Sequence, residues 1–445
     1  MTSRRAERGL SVAAIAVSAA TFGLAACGTS APASEHAAAG HGAGGSGATS
    51  AGGAGGGTSN AGRGGGVASA GADSAVSGGG AGATGTAASG AGGGVPAGGT
   101  AAAGSPTTGG TAAGGAAAGG AAADVGSEGD GDSKLGPSYT NQKELTNQGK
   151  PAGKSFSFAM PLAQSKLFDG KAPTLTRPAS TTRTINVYVP AKYQDGTPAP
   201  VLVIQDGPGQ LTQVARALDN LTVETDATRR LPAFVVVAVA NGGDDSIGSE
   251  RGLEYDTMSD KYARFVETEV FPAVLSDAKI KAAYPGLAFT TDPSGRAALG
   301  CSSGAVAAFT MAWFRPDLFS RVIGYSTTLV AQQDPKAAEA ATYPDGAWDY
   351  HSIKELIKND AEGREKKLRI FINANENDNG ATAAASGMHN WLMGNTRTAA
   401  ALAAKGFHYK FIEGLGESHC SGAVQSASLA DALIWAWRGY QSSGK

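Results

Sequence analysis

The sequence predicts an α/β fold with a mostly parallel central sheet covered by helices on both faces. Three observations carry that prediction. From about residue 183 onward, short runs rich in β-branched residues alternate with longer helical segments. Two of the runs, 201–204 and 234–239, are apolar throughout, as strands buried on both faces are. The stretch from Lys134 to Lys445 holds about 310 residues, enough for one large domain with a sizeable core.

The elements follow in order. Residues 184–189 (Thr-Ile-Asn-Val-Tyr-Val) alternate like a partly exposed strand, and 201–204 and 234–239 read as buried strands. Residues 256–274 carry the apolar spacing of a long amphipathic helix. Residues 296–299 form a strand that feeds a glycine-flanked turn, and 305–314 the helix after it. Residues 368–372 are a further strand running into the polar loop 373–380. A helix at 391–404, a strand at 408–412 and a helix at 429–437 close the chain. Residues 327–352 have weak periodicity and read as a lid or pocket wall.

The residues before this domain do not read as core. Arg4, Arg5 and Arg8 precede an apolar run at 10–26 that is too short and alanine-rich for a good membrane span. The run ends Leu24-Ala25-Ala26-Cys27, which resembles the bacterial lipobox. That resemblance implies export, cleavage before Cys27 and lipidation of Cys27, so 1–27 is expected to be a lipoprotein signal and the mature chain to be anchored to the cell envelope. Residues 28–133 are almost entirely Gly, Ala, Ser and Thr, and large apolar side chains are too scarce to offset ordering entropy. They read as a disordered tether with a root-mean-square reach of about 50–60 Å. The domain is then 134–445. A net charge of −2 with no Lys/Arg cluster gives nucleic-acid binding no support.

The chemistry is concentrated in three places. Gly300-Cys301-Ser302-Ser303-Gly304 matches the G-x-S-x-G turn that exposes a nucleophilic serine between a strand and a helix. A serine hydroxyl needs a base, an orienting acid and an oxyanion site. In folds with this turn they follow in the order Ser, acid, His. The loop after 368–372 offers Asp378, with Glu376 as the alternative acid. Gly416-Glu417-Ser418-His419-Cys420 follows the last strand and offers His419 as the base. His351, His389 and His408 sit in poorer positions and read as structural or surface residues. The Ser303 N–H is the expected first oxyanion donor, with a second from loop 205–209. No metal or cofactor is called for.

The cysteines add to this pattern. With Cys27 assigned to the lipid, Cys301 and Cys420 remain as an even pair, which oxidises outside the cytoplasm. Cys301 precedes Ser302 and Cys420 follows His419, so a Ser302–His419 contact would bring the two thiols together as a disulfide.

These stretches resemble the putative esterase family, which includes enterochelin esterase, the esterase D group, feruloyl and acetylxylan esterases, and mycolyltransferases. The resemblance covers about 183–440. It rests on Val187-Tyr188-Val189-Pro190, Gln205-Asp206-Gly207, Arg251-Gly252-Leu253-Glu254-Tyr255, Gly300 to Gly304, Arg315-Pro316-Asp317-Leu318-Phe319, Glu376-Asn377-Asp378, Asn390-Trp391 and Gly416 to His419. It implies an α/β-hydrolase fold and metal-free ester hydrolysis with Ser302 as nucleophile, Asp378 as acid and His419 as base. Two departures stand out. Relatives often donate an oxyanion N–H from the residue after Asp-Gly, which here is Pro208, so the donor passes to Gly207 or Gly209. Ala305 stands where a second glycine is common. The Cys-Ser and His-Cys pairs are similar to the tannase and fungal feruloyl esterase arrangement, where a disulfide joins the neighbours of nucleophile and base.

The expectation is an exported, membrane-anchored serine carboxylic-ester hydrolase working through an acyl-enzyme on a small-molecule or polysaccharide-linked ester. An acyltransferase of the mycolyltransferase-like type would use the same triad. A catalytically weak surface-binding lipoprotein is the reading that Pro208 favours.

Overall fold

The computed structural model describes residues 129–441 apart from 244, 246, 353 and 359–365. The expected signal sequence, Cys27 and the expected tether up to residue 128 lie outside the described residues.

The first half of the domain contains β1 (Gly131–Leu135), β2 (Lys154–Pro161), β3 (Thr182–Val189), the two-residue β4 (Pro198–Ala199), β5 (Val201–Gln205), α1 (Leu211–Leu221) and β6 (Val235–Val239). Four helices follow: α2 (Glu250–Tyr255), α3 (Lys261–Phe265), α4 (Phe271–Ser276) and α5 (Ala278–Ala283). The second half begins with β7 (Ala288–Phe289), β8 (Arg296–Cys301), α6 (Ser303–Phe314) and β9 (Arg321–Tyr325). It ends with β10 (Arg369–Asn377), α7 (Trp391–Ala404), β11 (His408–Ser418) and α8 (Gly422–Trp437).

Nine strands form one sheet in the order β1-β11-β10-β9-β8-β5-β6-β3-β2, and β4 pairs with β7 apart from it. Pairing from β1 through β6 is parallel. Only the pairings of β3, with β6 on one side and the edge strand β2 on the other, are antiparallel. This is the α/β-hydrolase fold that the sequence predicts. The apolar runs of the central strands divide between two cores, because successive side chains point to opposite faces. Val201 and Val203 face the core built with α3, α4, α6 and α7. Leu202 and Ile204 face the core built with α1 and α8. The parallel run sets the C-terminal ends of β5, β8, β10 and β11 along one edge of the sheet, where such folds place their ligands.

Two segments differ from expectation, and a third keeps the irregular backbone that its weak periodicity predicts. β1 takes in Gly131, Asp132 and Ser133, residues with the composition of a tether, and its parallel ladder to β11 supplies the order that composition does not. The helix expected at 256–274 begins later: α3 passes through a π-helical turn, Val266–Val270, into α4, while Asp256 instead ends α2. Residues 327–352 hold only the short 3-10 turns Ala338–Ala341 and Gly346–Tyr350. Trp348 and Tyr350 of this segment are 1% and 0% exposed and belong to the packing. Among the described residues no helix is long and apolar enough to cross a membrane.

Candidate active site

Strand β8 delivers the candidate nucleophile. Ser302 sits between β8 and α6 at φ 58° and ψ −131°, a conformation that costs an L-residue energy and is held by its surroundings. Its N–H donates to the Tyr325 carbonyl at 2.9 Å. The flanking glycines are steric requirements. A Cβ on Gly300 would lie 2.3 Å from the Gly304 carbonyl carbon, and one on Gly304 would meet Gln205 Cβ and Asp206 Oδ2, each at 3.0 Å.

His419 follows β11, and its ring links the other two groups. Nε2 lies 2.9 Å from Ser302 Oγ, and Nδ1 lies 2.6 Å from Asp378 Oδ1. The edge of the His419 ring meets Trp391 at a centroid distance of 5.8 Å and an interplanar angle of 86°. Asp378 is buried. It accepts hydrogen bonds from the backbone N–H groups of Asn375 at 3.0 Å and Asn379 at 2.9 Å. Burial alone would raise its pKa. Hydrogen bonds from His419, the Asn375 N–H and the Ser326 hydroxyl outweigh burial and hold the carboxyl below its ordinary value, and so ionised at neutral pH. Glu376 is elsewhere: its Oε2 accepts the Gly416 N–H at 2.7 Å, and its side chain is exposed. Of the two candidate acids, the structure sets Asp378 against His419.

Cys301 and Cys420 form a disulfide across 119 residues of chain, with their Cα atoms 6.0 Å apart. Cys420 takes a left-handed φ of 53°, and its N–H donates to Ser326 Oγ at 2.8 Å. Asn375 Nδ2 donates to the Ser418 carbonyl at 2.6 Å, so β10 and the His419 turn are tied together a second time.

On the oxyanion side, Ser303 is the first residue of α6, and its N–H has no acceptor within the helix. Gly207 is a correction: its N–H is spent on the Val239 carbonyl at 2.9 Å, as part of the contact between loop 206–209 and β6. The Gly207–Pro208 peptide is cis, and Pro208 has no N–H. Of the two candidate glycines, Gly209, at φ 44°, is the one whose N–H has no acceptor among the described residues. Asp206 is clamped at φ 56° by its own side chain. The carboxylate accepts Arg251 Nε and Nη2, both at 2.8 Å, and Asn241 Nδ2 at 2.7 Å.

The other three described histidines do not join the site. His351 is held against Thr398, with its pKa lowered to about 4 by burial and by Arg397. His389 sits at the Gly387 carbonyl and His408 at Asp130. Ser326, Asn375 and the Asp206–Arg251 clamp are the parts that sequence reasoning missed. The Arg251-to-Tyr255 stretch marked one of them without revealing its partner, and nothing local marks Ser326. Among the described residues no cluster of three or more His, Cys, Asp or Glu could hold a metal ion.

The family model described as "Putative esterase" matches residues 178–419. No curated protein sequence matches the chain. Among solved structures the chain is similar to a ferulic acid esterase at 18% identity and TM-score 0.44, covering 64% of this chain and 98% of that one. It is similar to a ferulic acid esterase from Anaeromyces mucronatus at 14% identity and TM-score 0.43, covering 67% and 96%. The enterobactin esterase of Shigella flexneri gives 17% identity and TM-score 0.41, covering 64% of this chain and 59% of that one.

Proposed function

Because the chain belongs to the "Putative esterase" family and is a carboxylic-ester hydrolase, we propose that it cleaves esters through Ser302, His419 and Asp378 by way of an acyl-enzyme. The observation that carries the reading is the paired contact of one imidazole, 2.9 Å to a serine hydroxyl and 2.6 Å to a buried carboxylate.

His419 Nε2 takes the Ser302 proton as Oγ attacks the ester carbonyl carbon. Asp378, ionised and fixed by two backbone N–H groups, holds Nδ1–H and stabilises the imidazolium that forms. The new negative charge on the carbonyl oxygen faces the Ser303 N–H, with the Gly209 N–H as second donor. The imidazolium then protonates the leaving alcohol, the acyl group stays on Ser302, and water activated by His419 releases the acid. Trp391 and the disulfide limit the room in which the His419 turn can move.

We extend the proposal to the cell envelope on the strength of the N-terminal sequence: export through residues 1–27, lipidation at Cys27 and a tether that holds the domain off the membrane. Ser302→Ala is expected to abolish hydrolysis of p-nitrophenyl acetate by the full-length protein, and unchanged turnover rejects the triad. Cys27→Ser is expected to move the protein out of the membrane fraction, and unchanged partitioning rejects the anchor. Product analysis with added sugar or lipid acceptors tests the acyltransferase reading, which requires acylated acceptor to exceed free acid.

A further inference from the structure

Two carboxyl groups lie against the first turn of α6, and they are not equivalent. Asp206 is neutralised by the two-pronged contact with Arg251. Asp256, one residue past α2, is 3% exposed and forms no ion pair among the described residues. The Ser303 hydroxyl lies close enough to the Asp256 carboxyl to hold its pKa down. Gln332 Nε2 bridges the same two groups, at 3.2 Å from Ser303 Oγ and 3.4 Å from Asp256 Oδ2. Asp256 Oδ1 is buried with no hydrogen-bond partner among the described residues. None of these three side chains has a task in the mechanism above, yet all converge on the residue whose N–H is the first oxyanion donor.

We infer that Asp256 is a positioning residue for the oxyanion donor: with Gln332 it fixes Ser303 at the start of α6, and a negative charge on it opposes the reaction. The inference rests on the Ser302–His419–Asp378 reading.

The physical reason is the charge that develops. Attack by Ser302 places a full negative charge on an oxygen held by the Ser303 N–H. An ionised Asp256 would set a second, unpaired negative charge behind that donor in a water-poor region, where charges interact far more strongly than in water. A neutral carboxyl holds the same hydrogen bonds without opposing the oxyanion. The groups facing Asp256 come from several elements: Arg251 on α2, Asp245 on the loop before it, Ser303 on α6 and Gln332 on the loop after β9. Burial raises its pKa most. The Ser303 hydroxyl, Arg251 and Gln332 draw it back, Asp245 pushes it up, and the outcome is about 7. The proton leaves for solvent and takes no part in the chemistry. Activity should therefore fall with rising pH as Asp256 ionises.

The test is kcat and KM for p-nitrophenyl acetate from pH 5 to 9 on the full-length protein and the variants Asp256→Asn, Asp256→Ala and Ser303→Ala. Asp256→Asn keeps the hydrogen bonds and cannot ionise. It should remove the falling limb and, at pH 6, lose less kcat than Asp256→Ala. The alanine variant should lose at least about tenfold in kcat with little change in KM, the pattern of an interaction made in the transition state. Ser303→Ala removes a contact that holds the Asp256 pKa down, so its falling limb should move to higher pH. That variant decides the matter if the Asp256 variants do not fold. A falling limb unmoved in Asp256→Asn, or unmoved in Ser303→Ala, overturns the inference while leaving Ser302-dependent hydrolysis standing. Wild-type protein inert to the ester, or activity that survives Ser302→Ala, overturns the triad and this inference together.

Discussion

Breaking the Cys301–Cys420 disulfide is expected to cost both stability and turnover, and the two losses have separate origins. The bond closes 119 residues of chain. In the chain-entropy model a loop of that length is worth about 5 kcal/mol at 25 °C. A domain of about 310 residues has a melting entropy near 0.65 kcal/mol/K, so the loss corresponds to about 7–8 °C in Tm. The effect on turnover is local. Cys301 and Cys420 abut Ser302 and His419, and Ser302 and Cys420 both hold left-handed φ values, 58° and 53°. Release of the bond lets the two turns relax apart, and a displacement of about 1 Å at a reacting pair can cost about a hundredfold. The assay compares full-length wild type with the Cys301→Ser/Cys420→Ser variant by calorimetry and by p-nitrophenyl acetate kinetics. The expected result is a lower Tm together with kcat reduced about a hundredfold at similar KM. A folded variant with wild-type kcat refutes the argument that the bond sets the Ser302–His419 spacing. An unchanged Tm refutes the loop-entropy reckoning.

Three further outcomes follow from particular contacts. Asp378→Asn should lower kcat by roughly 10³–10⁴-fold, because the amide cannot stabilise the imidazolium; Glu376→Gln should stay within about threefold of wild type, and a reversed order of effects would move the acid to Glu376. Gly300→Ala should fail to fold or lose well over about 2 kcal/mol, since its Cβ meets the Gly304 backbone at 2.3 Å; a normal melting curve would rule out the close approach. Glu250 has its pKa raised to about 7 by burial and by Glu254. Between its ordinary value of 4.5 and about 7 the folded state keeps a proton that the unfolded state has lost, so this residue makes stability fall as pH rises through that window. Glu250→Gln should therefore raise Tm at pH 8 and leave it nearly unchanged at pH 4, and an equal shift at both would exclude the linkage.

What the sequence revealed, it revealed through short-range chemistry. Residues 201–204 and 234–239 are apolar at every position because both faces of those strands are covered, and that can be read without a partner strand. The Ser302 turn is legible because Gly300 is forced by a contact with Gly304 inside the same five residues. β1 escaped because nothing in Gly-Asp-Ser-Lys-Leu favours a strand; its order comes from a ladder to β11, some 280 residues away. The oxyanion loop was ambiguous for the same reason. Whether Gly207 or Gly209 keeps an unspent N–H depends on the Val239 carbonyl of the neighbouring strand.

The choice of acid shows where this kind of reading stops. Glu376 and Asp378 are two residues apart, and simple strand alternation would point both to one side of the sheet. The ladder between β10 and β11 changes register between Asn375 and Asn377, and Asp378 then turns back so that its N–H reaches the Asn375 carbonyl at 3.0 Å. The irregularity separates the two carboxyls, one toward the Gly416 N–H and the other toward His419. A bulge of this kind re-aims side chains at the end of a strand, and the Asn-rich run around it announces a loop without saying which way it turns. One change of register between two neighbouring strands thus sets which of the two carboxyls meets His419. The same bend gives Asp378 its two backbone donors, so the feature that aims this carboxyl at His419 also keeps it ionised.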